Sequence, residues 1–237
     1  MTKRTPGGAR ISGRIADAIK KRIATGSLRT GDRLPAERTM GARHRVSRVS
    51  VREAYRVLQD SGILAVRRGS AGGAFIAAPG PSWIGQSLAL SLRLCDGCER
   101  QVQEASAIEP LVAALAARNA TEAQIAQLEL ELSRRRLGHP SGWIGSQIAR
   151  FRLDVADCAN NVALAAVVRA VAEMSCPLSM PLDRVDGLVD RVRGRHRLIH
   201  AAIAARDEDA AAAHMRDYLA WIHLQTAAVQ RARAGGA

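Results

Sequence analysis

Residues 31–54 read GDRLPAERTMGARHRVSRVSVREA, and this stretch decides the fold of the first part of the chain. Pro35 is favoured in the first turn of a helix, so it predicts a short helix over the residues that follow. The hydroxyl of Ser47 or Ser50 can accept a backbone N–H, which predicts the N-cap of the next helix. That next helix ends at Gly62, and its buried face is predicted to comprise Val51, Ala54, Tyr55 and Leu58. Two short helices joined by a tight turn are therefore expected.

The flanking residues extend this pattern into a larger unit. Before the stretch, Gly26 ends a segment in which isoleucines recur every four residues, as on one face of a helix: Ile11, Ile15, Ile19 and Ile23. After it, residues 63–77 read ILAVRRGSAGGAFIA, in which two β-prone runs flank a glycine-rich turn. The predicted order is helix, helix, helix and β-hairpin.

The charge of the chain is concentrated in this first part. Residues 1–80 hold 17 of the 35 Lys and Arg residues but only 5 of the 22 Asp and Glu residues, a net charge of +12 within a total of +13. Neutralising the phosphates of a nucleic acid requires clustered cations. The distribution therefore predicts a nucleic-acid-binding part joined to a nearly neutral part with another role.

A helix-breaking cluster, Pro79-Gly80-Pro81, marks the boundary between the two parts. We expect a first domain over 1–78, a linker and one helix over 79–101, and a helical domain over 102–237. Apolar periodicity predicts an all-α bundle of six or seven helices, near 83–94, 102–119, 122–136, 142–159, 162–175, 184–206 and 208–230. The predicted N-caps of this mostly α fold are Thr121, Ser141, Asp183 and Asp207.

The first part resembles the winged helix-turn-helix of the GntR family of bacterial transcription regulators. The resemblance rests on six motifs in order: GSL at 26–28, GDRLPAER at 31–38, VSR at 46–48, VREA at 51–54, SGIL at 61–64 and RGSAGGAFI at 68–76. The family places the helix over about 49–60 in the major groove of DNA. The contact residues implied by the resemblance are Arg38, Ser47, Arg48, Ser50, Arg52, Arg68 and Gly69.

These residues suit different contacts with DNA. Arg48 and Arg52 are the candidates for reading guanine, because a guanidinium can bind O6 and N7 together. Arg38 suits phosphate, and Gly69 lets the wing backbone approach the minor groove. Val49 stands where many relatives carry a polar residue, and it either touches a thymine methyl group or faces the core.

Residues 82–237 resemble the helical effector domain, called FCD, of the FadR-like branch of this family. Three motifs carry the resemblance: IEP at 108–110, Phe151 with Asn161, and HRLI at 196–199. The resemblance implies a homodimeric, ligand-responsive repressor on an inverted-repeat operator, with dimerisation through the helical domain. The alternative is an architectural DNA-binding protein whose helical domain is purely structural.

Many members of this branch hold a divalent metal, and the corresponding positions here are Ile148, Arg152, His196 and Tyr218. Isoleucine has no lone pair and an arginine repels a cation, so we expect no metal there. Arg152, His196 and Tyr218 would instead bind a small effector such as a carboxylate or phosphate. The other reading, left open by the sequence, is that Arg152 pairs with a neighbouring Asp or Glu.

Other features of the sequence exclude several functions. Catalytic or phosphate-binding motifs such as a Gly-rich phosphate loop, a nucleophile elbow or HExxH are missing, which predicts a protein that is not an enzyme and needs no cofactor. An apolar run of membrane-spanning length and a signal peptide are also missing, so we expect a cytoplasmic protein without a membrane partner. Its four cysteines are expected to be reduced thiols, although Cys95 and Cys98 have the spacing of a redox or zinc pair.

Overall fold

The computed structural model describes residues 6–69, 72–78, 80–94, 98–133, 143–179, 182, 185 and 187–234. The chain divides into two compact units, Met1–Gly80 and Pro81–Ala237. Helices dominate both units, and a single antiparallel hairpin is the sheet found among the described residues. The predicted fold class is confirmed.

The first unit, which we call the N-terminal unit, contains three helices followed by the hairpin. Its elements are α1 (Pro6–Ala24), α2 (Glu37–His44), α3 (Arg48–Asp60), β1 (Leu64–Arg67) and β2 (Gly73–Ile76). In the hairpin, Leu64 lies opposite Ile76. All four apolar residues predicted for the face of α3 are buried, together with residues of α1 and the hairpin that include Ile15, Ile19, Leu64 and Ile76. Burial of this kind contributes roughly 1.5–3 kcal/mol for each large aliphatic side chain.

The turn between α2 and α3 has two local features that fix its shape. Arg45 adopts the left-handed conformation, with φ of 52°, and ends α2. At Gly41 an added Cβ would lie 3.0 Å from the carbonyl oxygen of Val46, so the close packing of this turn favours glycine. The Ser47 hydroxyl then accepts the backbone N–H of Ser50 at 3.1 Å and caps α3, as predicted.

The second unit, which we call the helical unit, contains eight α-helices among its described residues. They are α4 (Pro81–Arg93), α5 (Cys98–Ala105), α6 (Glu109–Asn119), α7 (Glu122–Ser133), α8 (Trp143–Cys158), α9 (Val162–Ser179), α10 (Leu188–Ala204) and α11 (Glu208–Ala234). There is one more helix than the largest number predicted, because a 3-10 turn at Ser106–Ile108 interrupts the predicted helix over 102–119. Pro110 explains the interruption: it lacks a backbone N–H and therefore suits the first turn of α6.

Two of the predicted helix caps are present. Thr121 and Gln124 form a reciprocal capping box, with the Gln124 N–H donating to the Thr121 hydroxyl at 3.2 Å. Asp207 accepts the backbone N–H of Ala210 at 2.9 Å. Ser141 and Asp183 lie outside the described residues. No helix in the described part of the chain is long and apolar enough to span a membrane.

Candidate nucleic-acid interface and buried polar cluster

The helix α3 buries one face and exposes the other. Val49 is 72% exposed, so it faces solvent rather than the core, which removes one of the two readings of this position. Arg48 and Arg52 are exposed on the same helix, and Arg38 is exposed on α2. The start of α3 therefore presents two guanidinium groups and one apolar side chain to solvent, a combination that can contact base edges in the major groove.

The two serines at the start of α3 have different surroundings. Ser47 is exposed, whereas Ser50 is buried with an exposed fraction of 8%. Their hydroxyl oxygens lie 2.9 Å apart and share a hydrogen bond. Both hydroxyls therefore stabilise the first turn of α3, and Ser47 is the one that solvent or a ligand can reach.

Arg52 is held by Glu37, the first residue of α2. The Arg52 Nε donates to Glu37 Oε2 at 3.0 Å, and Nη2 of the same guanidinium lies 3.0 Å from that oxygen. The hydrogen bond and the negative charge of Glu37 raise the pKa of Arg52. This pairing orients the guanidinium of Arg52 on the exposed face of α3. Glu37 could not be identified as the partner of Arg52 from the sequence, because the two residues are 15 positions apart and no local pattern connects them.

The hairpin, which forms the wing, is fixed to the rest of the unit by Arg33. The guanidinium of Arg33 donates to the carbonyl oxygen of Gly72. Arg33 and Arg67 both lie over the Phe75 ring, with their central carbons 5.9 and 4.6 Å from its centroid. Arg68 and Gly69 are exposed at the end of β1, and Gly69 has φ of 104°. Ser70 and Ala71 lie outside the described residues.

The helical unit contains a buried ion pair. Arg152 on α8 is 3% exposed, and Glu109 at the start of α6 is 2% exposed. The Arg152 Nε donates to Glu109 Oε2 at 2.8 Å, and Nη2 donates to the other carboxylate oxygen. Of the two readings of Arg152, the structure therefore shows the internal pairing. The sequence marked Glu109 only as part of the motif at 108–110.

His196 and Tyr218 lie beside each other in the same core. The His196 ring stacks on Phe151 with centroids 3.7 Å apart, and it meets the Tyr218 ring edge-on at 4.9 Å. His196 Nε2 and the Tyr218 hydroxyl are buried, and neither has a hydrogen-bond partner among the described residues. Burial lowers the pKa of His196 from 6.5 to about 3 and raises the pKa of Tyr218. Both side chains are therefore neutral near pH 7, with hydrogen-bonding capacity that is unused.

A small cavity of about 40 Å³ borders His196 and Phe151. Its polar lining comes from α7, α8 and α10, namely Glu131, Gln147, Arg150, Asp154, Arg193 and His196. A volume of this size holds one or a few water-sized groups.

Of the cysteines, Cys158 is buried and unpaired, whereas Cys95 lies outside the described residues.

Comparison with known proteins identifies both units. The profile of "Bacterial regulatory proteins, gntR family" matches residues 11–75, and that of the "FCD domain" matches residues 105–220. A regulatory protein of Escherichia coli K12, named for the L-lactate dehydrogenase operon, is 30% identical over 224 residues, which are 90% of this chain and 85% of that protein. The chain belongs to the GntR family.

This GntR protein is a DNA-binding transcription regulator with an FCD effector-binding domain. The repressor MngR of the mannosyl-D-glycerate system of E. coli K12 is 46% identical over 56 residues, which are 24% of this chain and 23% of that protein. A solved GntR structure from Streptococcus agalactiae covers 91% of this chain and 98% of its own, with a TM-score of 0.57 and 21% identity. That likeness supports the GntR fold.

The metal site found in many FCD domains is not matched by the residues of this GntR protein. Ile148 is buried and has no lone pair, and Arg152 places a cation at the second position. Only His196 of the four positions retains a metal-binding side chain. Within the described ranges, no cluster of three or more His, Cys, Asp or Glu residues could hold a metal ion. The residues present do not fit a divalent metal.

Proposed function

We propose that this GntR regulator is a repressor that binds an inverted-repeat operator as a homodimer. The observation that carries the proposal is the exposed face of α3, where Arg48, Val49 and Arg52 lie together. In this arrangement α3 enters the major groove and the wing approaches the adjacent backbone or minor groove. A homodimer with two-fold symmetry binds two half-sites related by the same symmetry, and two such half-sites form an inverted repeat. Such a regulator acts in the cytoplasm, where bacterial DNA lies.

The contact residues divide into two groups by the chemistry of their side chains. Arg48 and Arg52 read guanine, and Val49 packs on a thymine methyl group. Arg38, Ser47, Arg68 and the backbone of Gly69 contact phosphate or sugar, which positions the protein without reading sequence. Ser50 contributes by holding the Ser47 hydroxyl, since its own side chain is buried.

A binding assay on the full-length protein tests this proposal. An operator is first selected from a random duplex pool, and fluorescence anisotropy then measures affinity for the selected and a scrambled duplex. Arg48→Ala should lower affinity for the selected duplex, because the variant loses a base contact. Arg100→Ala is a matched control, since Arg100 is an exposed arginine of the helical unit and pairs with Glu104. Equal losses in both variants would contradict the proposed interface.

The dimer is tested by sedimentation of the protein with and without operator DNA. Two protomers per inverted-repeat duplex are expected, and separating the half-sites by half a helical turn should weaken binding because the two α3 helices then face different sides of the duplex. A single protomer that protects an isolated half-site would refute the dimeric mode of binding.

We further infer that the effector is a small acidic metabolite bound beside Arg152, His196 and Tyr218. The unpartnered His196 Nε2 and Tyr218 hydroxyl support this placement, since a ligand could satisfy both. The name of the E. coli relative, which refers to an L-lactate dehydrogenase operon, supports a hydroxy acid as the first compound to test. Because Arg152 is paired with Glu109, the ligand would have to share or rearrange this pair, or bind through the two neutral groups.

One alternative has support in the structure: a DNA-binding protein whose helical unit is purely structural. The cavity of about 40 Å³ is small, and the charge of Arg152 is already balanced. A thermal-shift screen separates the two functions. L-lactate and related acids are compared with propane-1,2-diol, which lacks the carboxylate. Stabilisation by one acid, followed by release of operator DNA, supports sensing, and uniform lack of response supports the structural role.

A further inference from the structure

The ion pair between Arg152 and Glu109 occupies the part of the helical unit where the branch resemblance implies a metal. We propose that this pair takes the place of the divalent metal ion at Arg152, so that a guanidinium ties α8 to α6 where a metal ion would tie α8 to α10 and α11. This inference goes beyond the proposed function, because it concerns what holds the helical unit together and not which DNA or effector is bound.

The geometry of the pair is that of a cross-link between helices. Glu109 is the first residue of α6 and Arg152 lies in the middle of α8, 43 positions away. Both oxygens of the carboxylate accept from the same guanidinium, so the contact has two parallel hydrogen bonds. Such a contact fixes both distance and orientation, as metal coordination by residues of two helices also does.

The side chains of the cluster offer few ligand atoms to a divalent ion. Ile148 contributes no ligand atom. Of the four positions that the branch resemblance implies, only that of His196 keeps a metal-binding side chain, and both carboxylate oxygens of the neighbouring Glu109 already accept hydrogen bonds from Arg152.

The proposal predicts a characteristic response to substitution. A buried ion pair is not necessarily more stable than an apolar pair of similar size, but removal of one partner leaves the other charge buried and unpaired. Loss of Glu109 alone or Arg152 alone should therefore be more damaging than loss of both. A pair of residues that merely fill space would show roughly additive losses.

The first experiment measures metal binding by the full-length wild-type protein without DNA or effector. The protein is incubated with Zn²⁺, Mn²⁺ or Ni²⁺, desalted and analysed for metal, and its melting temperature is compared with and without EDTA. We expect less than one ion per chain and no change in melting temperature. One ion per chain that is lost in His196→Leu would overturn the proposal. An ion retained by His196→Leu binds elsewhere and leaves this cluster metal-free, as proposed.

The second experiment is a double-mutant cycle with Glu109→Leu, Arg152→Met and the double variant, which has an apolar pair in place of the ion pair. Each single variant should lower the melting temperature by roughly 10 °C, the shift that corresponds to a broken buried pair in a chain of this length. The double variant should recover much of that loss. Additive losses, or single variants as stable as wild type, would overturn the proposal. If a single variant does not fold, a folded double variant supports the proposal, and the metal measurement on wild type decides independently.

Discussion

The two units of this regulator use arginine in opposite ways. On α3, Arg48 and Arg52 are exposed at a surface that can exchange water for DNA. In the helical unit, Arg152 is buried, and its Nε and Nη2 atoms donate to the two carboxylate oxygens of Glu109. A surface guanidinium contributes little to folding and much to recognition, whereas a buried one is committed to its partner because separation exposes an unpaired charge to an apolar core. Charge is therefore available for recognition at the surface of one unit, whereas within the other unit it is held in an internal pair.

The largest effect that tests this comparison is expected for Arg152→Ala. The variant leaves Glu109 buried without its partner, so the free energy of unfolding should fall by about 3–5 kcal/mol. Arg48→Ala should change the same quantity by less than about 0.5 kcal/mol, because it is a surface substitution. Urea unfolding of the full-length protein measures both. The comparison between the units fails if Arg152→Ala is as stable as wild type.

The next effect concerns recognition of DNA. Arg52→Ala should lower affinity for the selected operator by roughly 5- to 150-fold and relax the preference at one base pair, because a bidentate base contact is lost. Arg38→Ala should weaken binding to all DNA sequences alike. It should also reduce the slope of log affinity against log salt concentration by about one. Anisotropy titrations on selected and scrambled duplexes at several salt concentrations measure both quantities. If the two variants lose affinity equally on both duplexes, the division between reading and positioning residues is wrong.

Local patterns in the sequence were enough to predict most of the fold. The Ser47 cap, the Thr121 cap and the apolar face of α3 each depend on residues within one or two helical turns, and all three are present. The break before α6 was missed, although Pro110 was a signal for it.

The partners within the candidate sites could not be predicted in the same way. Glu37 meets Arg52 and Glu109 meets Arg152 through tertiary packing, across 15 and 43 positions. The sequence allowed Arg152 to bind either a ligand or a neighbouring carboxylate, because both satisfy a buried guanidinium equally well. Only the packing of α6 against α8 determines which carboxylate is within reach.

A smaller effect should appear in the pH dependence of stability. Burial lowers the pKa of His196 from 6.5 to about 3. Between these two pH values the imidazole is protonated in the unfolded chain but neutral in the folded chain. Stability is therefore complete above about pH 6.5 and is lost as the pH falls towards 3, by about 2 kcal/mol between neutral pH and pH 5. Urea unfolding of wild type and His196→Phe at both pH values measures this contribution. His223, whose pKa is also lowered, is present in both proteins and cancels. An equal loss in His196→Phe would assign the pH dependence to other groups.

The smallest expected effect comes from Glu37→Gln. This variant tests whether the exposed Arg52 recognises its base pair without help from a neighbouring side chain. Glu37 pairs with the Arg52 guanidinium, and in the proposed complex it would also place a negative charge near the DNA. Its neutralisation should therefore raise affinity for scrambled DNA slightly, by reduced repulsion, and lower discrimination at the base pair read by Arg52, by loss of orientation. In the Arg52→Ala background, the change in discrimination should disappear, whereas the gain in non-specific affinity should remain. Anisotropy on selected and single-base-substituted duplexes separates the two contributions. If discrimination falls equally with and without Arg52, Glu37 acts through another residue and Arg52 is oriented by the DNA alone.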